Sequence, residues 1–430
     1  MLEKLFKLSQ FGTTPKTEVI AGFTTYLTMA YIIFVNPAIL ADAGMDKGAV
    51  FVATCIAAAI GCFIMGFWAN LPVALAPGMG LNAFFTYGVV LGMGHDWQTA
   101  LGAVFFSGVL FIILSVLRIR EMIINAIPSA LKLAIAAGIG AFLALIALKS
   151  AGIIVDHPAT LVTLGEINEF KPAIALAGFF AIIALVQRNV PGAVMLVILA
   201  VSAIGIAVGD VEYAGIMSMP PSMAPTFMQM DLAAALDVAM ISVIFAFLFV
   251  DLFDTSGTLI AVTQRAGLTT SDGKVPRLRQ ALMADSSATI AGAALGTSTT
   301  TSYIESASGV AAGGRTGLTA ITVGLLFLVS IFFAPLAGMI PAYATAGAIL
   351  YVSVLMMFSL KDVNWEDLTE SAPVVVVLLL TPLTFSIAHG ITLGFITYAA
   401  AKLLGNKRED VTVSVWIISA LLLLKVIFIG

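Results

Sequence analysis

The sequence predicts an all-α polytopic membrane protein with 14 transmembrane segments in a 7+7 inverted repeat. Three observations predict it. Hydrophobic residues make up 60% of the 430 and charged residues only 10%, against roughly 45–50% apolar and about 25% charged in soluble domains. Runs of about 20 apolar residues, enough for a helix to cross a bilayer, recur from Thr17 to the C-terminus with short polar joints between them. Interrupted segments stand at matching places in the two halves.

The opening MLEKLFKLSQFGTTPK sets Leu2, Leu5, Phe6 and Leu8 among lysines. This is an amphipathic segment expected to lie on the inner membrane surface, not the apolar core of a cleavable signal peptide. Spans follow near 17–37, 49–68, 72–91, 98–117, 128–149, 172–188 and 191–208, so residues 1–208 form the first repeat. An external connector, 209–236, leads to a second repeat over 237–404, with spans near 237–259, 281–295, 297–313, 316–335, 342–360, 372–388 and 389–404. A C-terminal tail, 405–430, holds one more apolar run near 411–428, which can cross the membrane or lie along it.

With the N-terminus cytoplasmic, sixteen lysines and arginines fall inside, among them Arg118, Arg120, Lys132, Arg265 and Lys274; Lys47, Lys149 and Lys171 fall outside. Because seven is odd, the second repeat starts from the opposite face, as an inverted repeat requires. The expected location is the cell membrane of a bacterium, multi-pass, with lipid as the surrounding partner. The net charge of −4 is small and spread over loops, and it implies no nucleic-acid partner. Cys55 and Cys62, seven apart on one helix face, read as space-filling thiols. His95, His157 and His389 read as loop residues without metal-ligand spacing. No metal or cofactor site is expected, nor an enzyme, since no histidine or cysteine stands where a nucleophile-base pair would need it.

The third span reads LPVALAPGMGLNAFFTYGVV, where Pro72, Pro77, Gly78 and Gly80 break the helix; the tenth reads GTSTTTSYIESASG, rich in β-branched threonine. Both suggest an extended stretch followed by a half-helix, beginning near Gly78 and near Ser302. Irregular backbone at membrane depth persists only where protein or a water-filled cavity satisfies it, so paired interruptions point to a transport site.

Intramembrane carboxylates are costly, about 2.5–3.5 kcal/mol each on insertion scales, and usually handle an ion or a substrate. Asp251 and Asp254 are three apart and share a helix face. Desolvation and mutual repulsion oppose charging both, so one can carry a proton. The competing role for Asp254 is to end the helix at DTSG. Glu305 can bind a ligand or, in Ser302-x-x-Glu305, close a capping box. Asn82 takes the comparable place in the first half, where its amide could meet a heterocycle edge or bridge helices. Phe84, Phe85, Phe249, Phe253 and Tyr303 flank these groups and could stack on a planar ligand, Tyr303 and Phe253 being the better placed. GMGLNA lacks the Gly-Lys-Ser/Thr ending of a P-loop, and no nucleotide-binding domain is read in the chain, so uphill transport is expected to draw on an ion gradient.

The stretches AGFTTYLTMAYIIFVNPAIL (21–40), APGMGLNAFF (76–85), ATLVTLG (159–165), VDLFDTSGTL (250–259) and GTSTTTSYIESASGVAAGGRTGLTA (296–320) resemble the AzgA-like purine permeases of the nucleobase-cation symporter-2 family. The last stretch is the most specific, and the resemblance covers nearly the whole chain. It implies a core domain of spans 1–4 and 8–11 against a gate domain of spans 5–7 and 12–14. It also implies import of purine bases by proton symport, with no cofactor beyond the proton, and a homodimer as in the uracil-permease relatives. The family's substrate-proximal acid on span 8 falls on Asp254, with Asp251 a second functional aspartate and proton coupling expected of this pair. The substrate glutamate falls on Glu305 and the polar third-span position on Asn82. Where the uracil permeases have a histidine one turn beyond the eighth-span acid, this chain has Thr258. An ionised Glu305 suits the adjacent N–H groups of guanine and the N1–H of hypoxanthine; adenine would need a protonated carboxyl or an amide on that edge. The alternative function is an anion channel or exchanger on a related inverted-repeat fold.

Overall fold

A computed structural model describes residues 2–117, 128–269 and 275–428. Arg118, Arg120 and Lys274, part of the expected inner-side charge, lie outside the described residues.

Helix α1 (Leu2–Phe6) turns Phe6 toward Leu318 and Ile321 while Leu2 and Leu5 stay exposed, as its amphipathic pattern requires. Span 1 is two helices. α2 (Pro15–Met29) starts on a Thr14 cap with proline in its first turn, and α3 (Ile32–Asp42) resumes after a break at Ala30 and Tyr31. α4 (Lys47–Ile64), capped by Asp46, widens into a π-helical turn at Met65–Ala69. Span 3 consists of strand β1 (Leu75–Pro77), α5 (Met79–Ala83) and a π-helical stretch, Phe84–Gly92. α6 (Trp97–Val116), α7 (Ser129–Ser150), an exposed hairpin β2 (Ile154–His157) and β3 (Leu161–Leu164), α8 (Phe170–Gln187) and α9 (Ala193–Ala207) complete the first half of the chain.

The second repeat runs α10 (Val238–Arg265), α11 (Leu278–Leu295), β4 (Thr300–Ser302), α12 (Ser306–Ala311), α13 (Gly317–Ser330), α14 (Ala334–Gly338), α15 (Ala342–Met357), α16 (Leu368–Leu383) and α17 (Ile387–Leu404). Among the described residues, nine helical stretches are long and apolar enough to cross a membrane, and four shorter apolar helices accompany them. α11 is in neither group, because Arg279, Asp285 and several serines and threonines dilute its apolar face.

Two sets of helices pack within themselves. α13 lies on α2 and α4, α11 on α4 and α6, and α12 on α2; separately, α15 lies on α7 and α8, and α16 on α7 and α17. The sets touch where α5 and α10 meet α7, where α2 meets α9 and where α3 meets α15. A Cβ on Gly80 would come within 2.5 Å of Ile139 in α7, so the absent side chain permits this approach. The tail forms α18 (Val413–Phe428) along α17, with Val415 buried and Ser419 Oγ donating to the Phe395 carbonyl at 3.1 Å.

Polar groups pin the ends of the spans. Buried Glu18 accepts from the Arg315 and Thr316 backbone N–H groups and from Thr319 Oγ1, so a carboxylate of span 1 caps the start of α13. Lys402 bridges Glu370, while Lys407 Nζ meets Asp367 Oδ2 at 2.7 Å, tying α16 to the end of α17. Both cysteines are free and buried; Cys62 does more than fill space, since its Sγ accepts from the Leu75 N–H and donates to the Leu75 carbonyl.

Candidate substrate-binding site

The extended stretches of spans 3 and 10 satisfy each other. β1 and β4 run antiparallel with Leu75 opposite Ser302, Ala76 opposite Thr301 and Pro77 opposite Thr300. The pairing continues beyond the strands, with Gly78 N–H donating to the Thr299 carbonyl at 2.9 Å and Tyr303 N–H to the Ala74 carbonyl at 3.0 Å. Threonine's β-branching favours the extended form, and the pairing removes the cost of bare backbone at membrane depth.

Beside this two-stranded ribbon lies a cavity of about 500 Å³, within the range of small-molecule sites. Tyr31, Gly78, Phe253, Asp254, Tyr303 and Glu305 form one wall; Ile139, Val352 and Met356 form the facing wall. It reaches Lys132 and the exposed Ile260, on the face expected to be cytoplasmic. Outside the cavity lining, aromatic rings pack on one another between the spans. Phe84 packs on Phe247 at 4.9 Å, and Phe385 meets Tyr87 edge-on at 6.0 Å and Phe142 at 5.2 Å. Phe84, Phe142 and Phe247 are fully buried, and Tyr87 Oη donates to Asp42 Oδ2 at 2.5 Å.

Glu305 stands in the turn before α12, and its Oε1 accepts a hydrogen bond from Tyr31 Oη at 2.6 Å. The capping box with Ser302, the alternative role for Glu305, does not form. Ser302 belongs to β4 and donates to Asp285 Oδ1 at 3.2 Å, and α12 starts at Ser306, four residues later than the expected half-helix. The pairing of Thr300–Ser302 with β1 fixes those residues as extended and delays the helix. Glu305 is therefore free of the cap and lines the cavity.

Asp254 is solvent-accessible on the same wall, with Phe253 beside it; the Phe253 ring stacks on Phe249 at 6.4 Å, with ring planes 12° apart. Tyr303 keeps its ring at the cavity while its hydroxyl donates to the Pro77 carbonyl at 2.5 Å. Thr258 also lines the cavity.

Two of the expected residues lie away from the cavity. Asn82 does not line the cavity: it is fully buried, its Nδ2 donates to Asn36 Oδ1 at 3.0 Å, and Asn36 in turn donates to Thr54 and Thr297. One helical turn separates it from Gly78, but the α5 periodicity points it at span 1, and it acts as a helix bridge. Asp251 also lies away from the cavity, at 1% exposure, and its partner is Asp285 of α11 rather than Asp254. The two carboxyls are close neighbours between α10 and α11, both buried. Thr255 Oγ1 donates to Asp285 Oδ1 at 2.7 Å and also contacts Thr301, tying this pair to the strand beside Glu305.

Sequence reasoning missed Tyr31 and Asp285. Asp285, inside QALMADSSATIAG, carried the same signal as Asp251, a carboxylate in an apolar span. Tyr31 carried none, for no glycine or proline marks the break that places it.

A two-stranded ribbon flanked by half-helices, inside two inverted sets of spans and beside a cavity lined by the carboxylates of Asp254 and Glu305, defines an inverted-repeat membrane transporter. The chain belongs to the Permease family, whose model matches residues 16–393, and on that membership it is a transport protein rather than an enzyme. It is 51% identical to the adenine permease AdeP of Escherichia coli K12, over 100% of this chain and 96% of that protein. It is 44% identical to the guanine/hypoxanthine permease PbuG of Bacillus subtilis, over 95% of this chain and 96% of that one. The transmembrane domain of the cyanobacterial bicarbonate transporter BicA has the same fold, with a TM-score of 0.67 at 16% identity, covering 87% of this chain and 96% of that one.

Proposed function

We propose that the protein carries purine nucleobases across the cell membrane by proton symport, with guanine and hypoxanthine as favoured substrates and adenine accepted. The observation that carries this reading is Glu305 beside Asp254 in a cavity of purine-accommodating size, in a chain whose relatives of 44–51% identity include adenine and guanine/hypoxanthine permeases. A carboxylate accepts the ring N–H of an oxopurine, and the Phe253 and Tyr303 rings supply faces for stacking.

The helices packed on α2, α4 and α6 act as the core domain, spans 1–4 and 8–11, and those packed on α7 act as the gate domain, spans 5–7 and 12–14. Core movement against gate exposes the cavity to each side in turn. The Asp251–Asp285 pair carries the coupling proton, and the Thr255–Thr301 link passes its protonation state to the strand that positions Glu305. The orientation puts the N-terminus and Lys132 in the cytoplasm.

The test is uptake by vesicles containing the pure protein. Accumulation of labelled guanine, hypoxanthine or adenine under an inward proton gradient supports the reading; no accumulation of any of them defeats it. Anion exchange, the alternative that the BicA-like fold invites, predicts purine-independent anion flux in the same vesicles.

A further inference from the structure

We infer that Tyr31 sets the breadth of purine selectivity, by engaging one oxygen of the Glu305 carboxylate and so weakening it as an acceptor for the base. This rests on the proposal that Glu305 is the carboxylate that binds the base.

The placement of Tyr31 follows from the break in span 1. Regular helical bonding runs up to the Ala30 N–H, which donates to the Tyr26 carbonyl, and continues with tighter bonds from the Ile33 N–H to the Ala30 carbonyl and from the Phe34 N–H to the Tyr31 carbonyl, so Tyr31 stands at the joint and lines the cavity. It is 1% exposed, and its hydroxyl reaches Glu305 Oε1 at 2.6 Å. An O–H donating to an ionised carboxylate belongs to the strong class of hydrogen bonds. The backbone on both sides is held as well: Thr28 Oγ1 lies 2.8 Å from Ser308 Oγ and 3.5 Å from the Glu305 carbonyl, and Ser308 Oγ donates to that carbonyl at 2.7 Å. The hydroxyl is therefore a fixed part of the site.

The chemical consequence is a count of acceptors. A carboxylate with both oxygens free receives guanine's N1–H and 2-amino group together, and would prefer guanine over hypoxanthine, which lacks the second donor. With Oε1 already accepting from Tyr31, its remaining lone pair is the poorer acceptor, and the 2-amino group gains less than it would from a bare carboxylate. A single free oxygen accepts the N1–H of either oxopurine, and it also accepts the 6-amino group of adenine. Tyr31 thus flattens discrimination among purines that a bare glutamate would impose.

The experiment compares binding of guanine, hypoxanthine and adenine to the wild type and to Tyr31→Phe, purified in nanodiscs, by equilibrium binding. Phenylalanine keeps the ring and releases Oε1. The guanine-to-hypoxanthine affinity ratio is expected to rise about tenfold in the variant, the value of roughly one hydrogen bond. A uniform loss for all three bases with an unchanged ratio would mean that Tyr31 only orients Glu305, and it overturns the inference. The wild type supplies a second check that holds even if the variant does not fold: guanine and hypoxanthine are expected to bind within about threefold of each other, and a guanine preference of about tenfold or more overturns the inference. Wild-type protein that binds no purine overturns the nucleobase reading itself, and the Tyr31 inference with it.

Discussion

The hydroxyl of Tyr303 donates to the Pro77 carbonyl at 2.5 Å, joining the end of the span 10 strand to the end of the span 3 strand. Pro77 sits where its ring lacks an N–H and where its carbonyl would otherwise be a buried acceptor without a donor. Tyr303 therefore serves the ribbon with its oxygen and the cavity with its ring.

Tyr303→Phe separates these roles. The variant should keep base affinity and lose about 1–3 kcal/mol of stability, the cost of an orphaned buried acceptor. Thermal unfolding in detergent measures the loss, and a binding isotherm measures affinity; lost affinity with unchanged stability contradicts the assignment.

Glu305→Gln and Asp285→Asn should fail differently. Glutamine loses the charge that receives the base, so affinity is expected to fall about 10–100-fold. Asparagine at 285 cannot share a proton with Asp251, so concentrative uptake should cease while exchange of labelled for unlabelled base continues. Counterflow and gradient-driven uptake in the same vesicles distinguish the two.

Asn82→Ala is a test of the helix bridge. It leaves Asn36 Oδ1 without the donor that now reaches it at 3.0 Å, so stability should fall by about 1–3 kcal/mol, while affinity of the surviving folded protein changes less than about threefold. A binding defect with intact stability would return Asn82 to the ligand.

Lys407, together with the hydroxyl and backbone N–H of Thr369, holds the Asp367 carboxyl well below the usual carboxylate range. A carboxyl depressed on folding stabilises above its unfolded value of about 4, and that contribution is lost as pH falls through the folded value. The destabilisation caused by Asp367→Asn should thus be constant between about pH 5 and 8 and shrink on acidification below about pH 4. Melting temperatures of both proteins across that range measure it.

Much of this arrangement was legible in the sequence because its signals were local. Pro77, Gly78 and the threonines at 299–301 write their breaks into composition, and charges in apolar runs identify Asp251, Asp254 and Glu305. What could not be read depends on rotation about a helix axis and on which spans touch. Asp251 and Asp254 share a helical face by spacing, yet α10 is wedged so that Asp254 meets the cavity and Asp251 meets α11. Asn82 was placed by analogy between repeats, and the side of α5 on which it falls decides otherwise. The capping box was a valid local option, overruled by a partner strand more than two hundred residues away.

The aromatic layer formed by Phe84, Phe142, Phe247 and Phe385 has an electrical meaning. A hydrated cavity conducts, whereas packed protein insulates, so on the proposed transport path the membrane potential falls mainly across the protein between the cavity and the face opposite Lys132. Phe247 stands one turn from Asp251 on α10, which puts the carboxyl pair at the foot of that drop. A proton arriving there from the far side crosses most of the field, worth about 2.3 kcal/mol per 100 mV for one full charge. Under the proposed proton symport, packed protein on that side thereby makes the voltage, as well as the pH difference, available to drive the base.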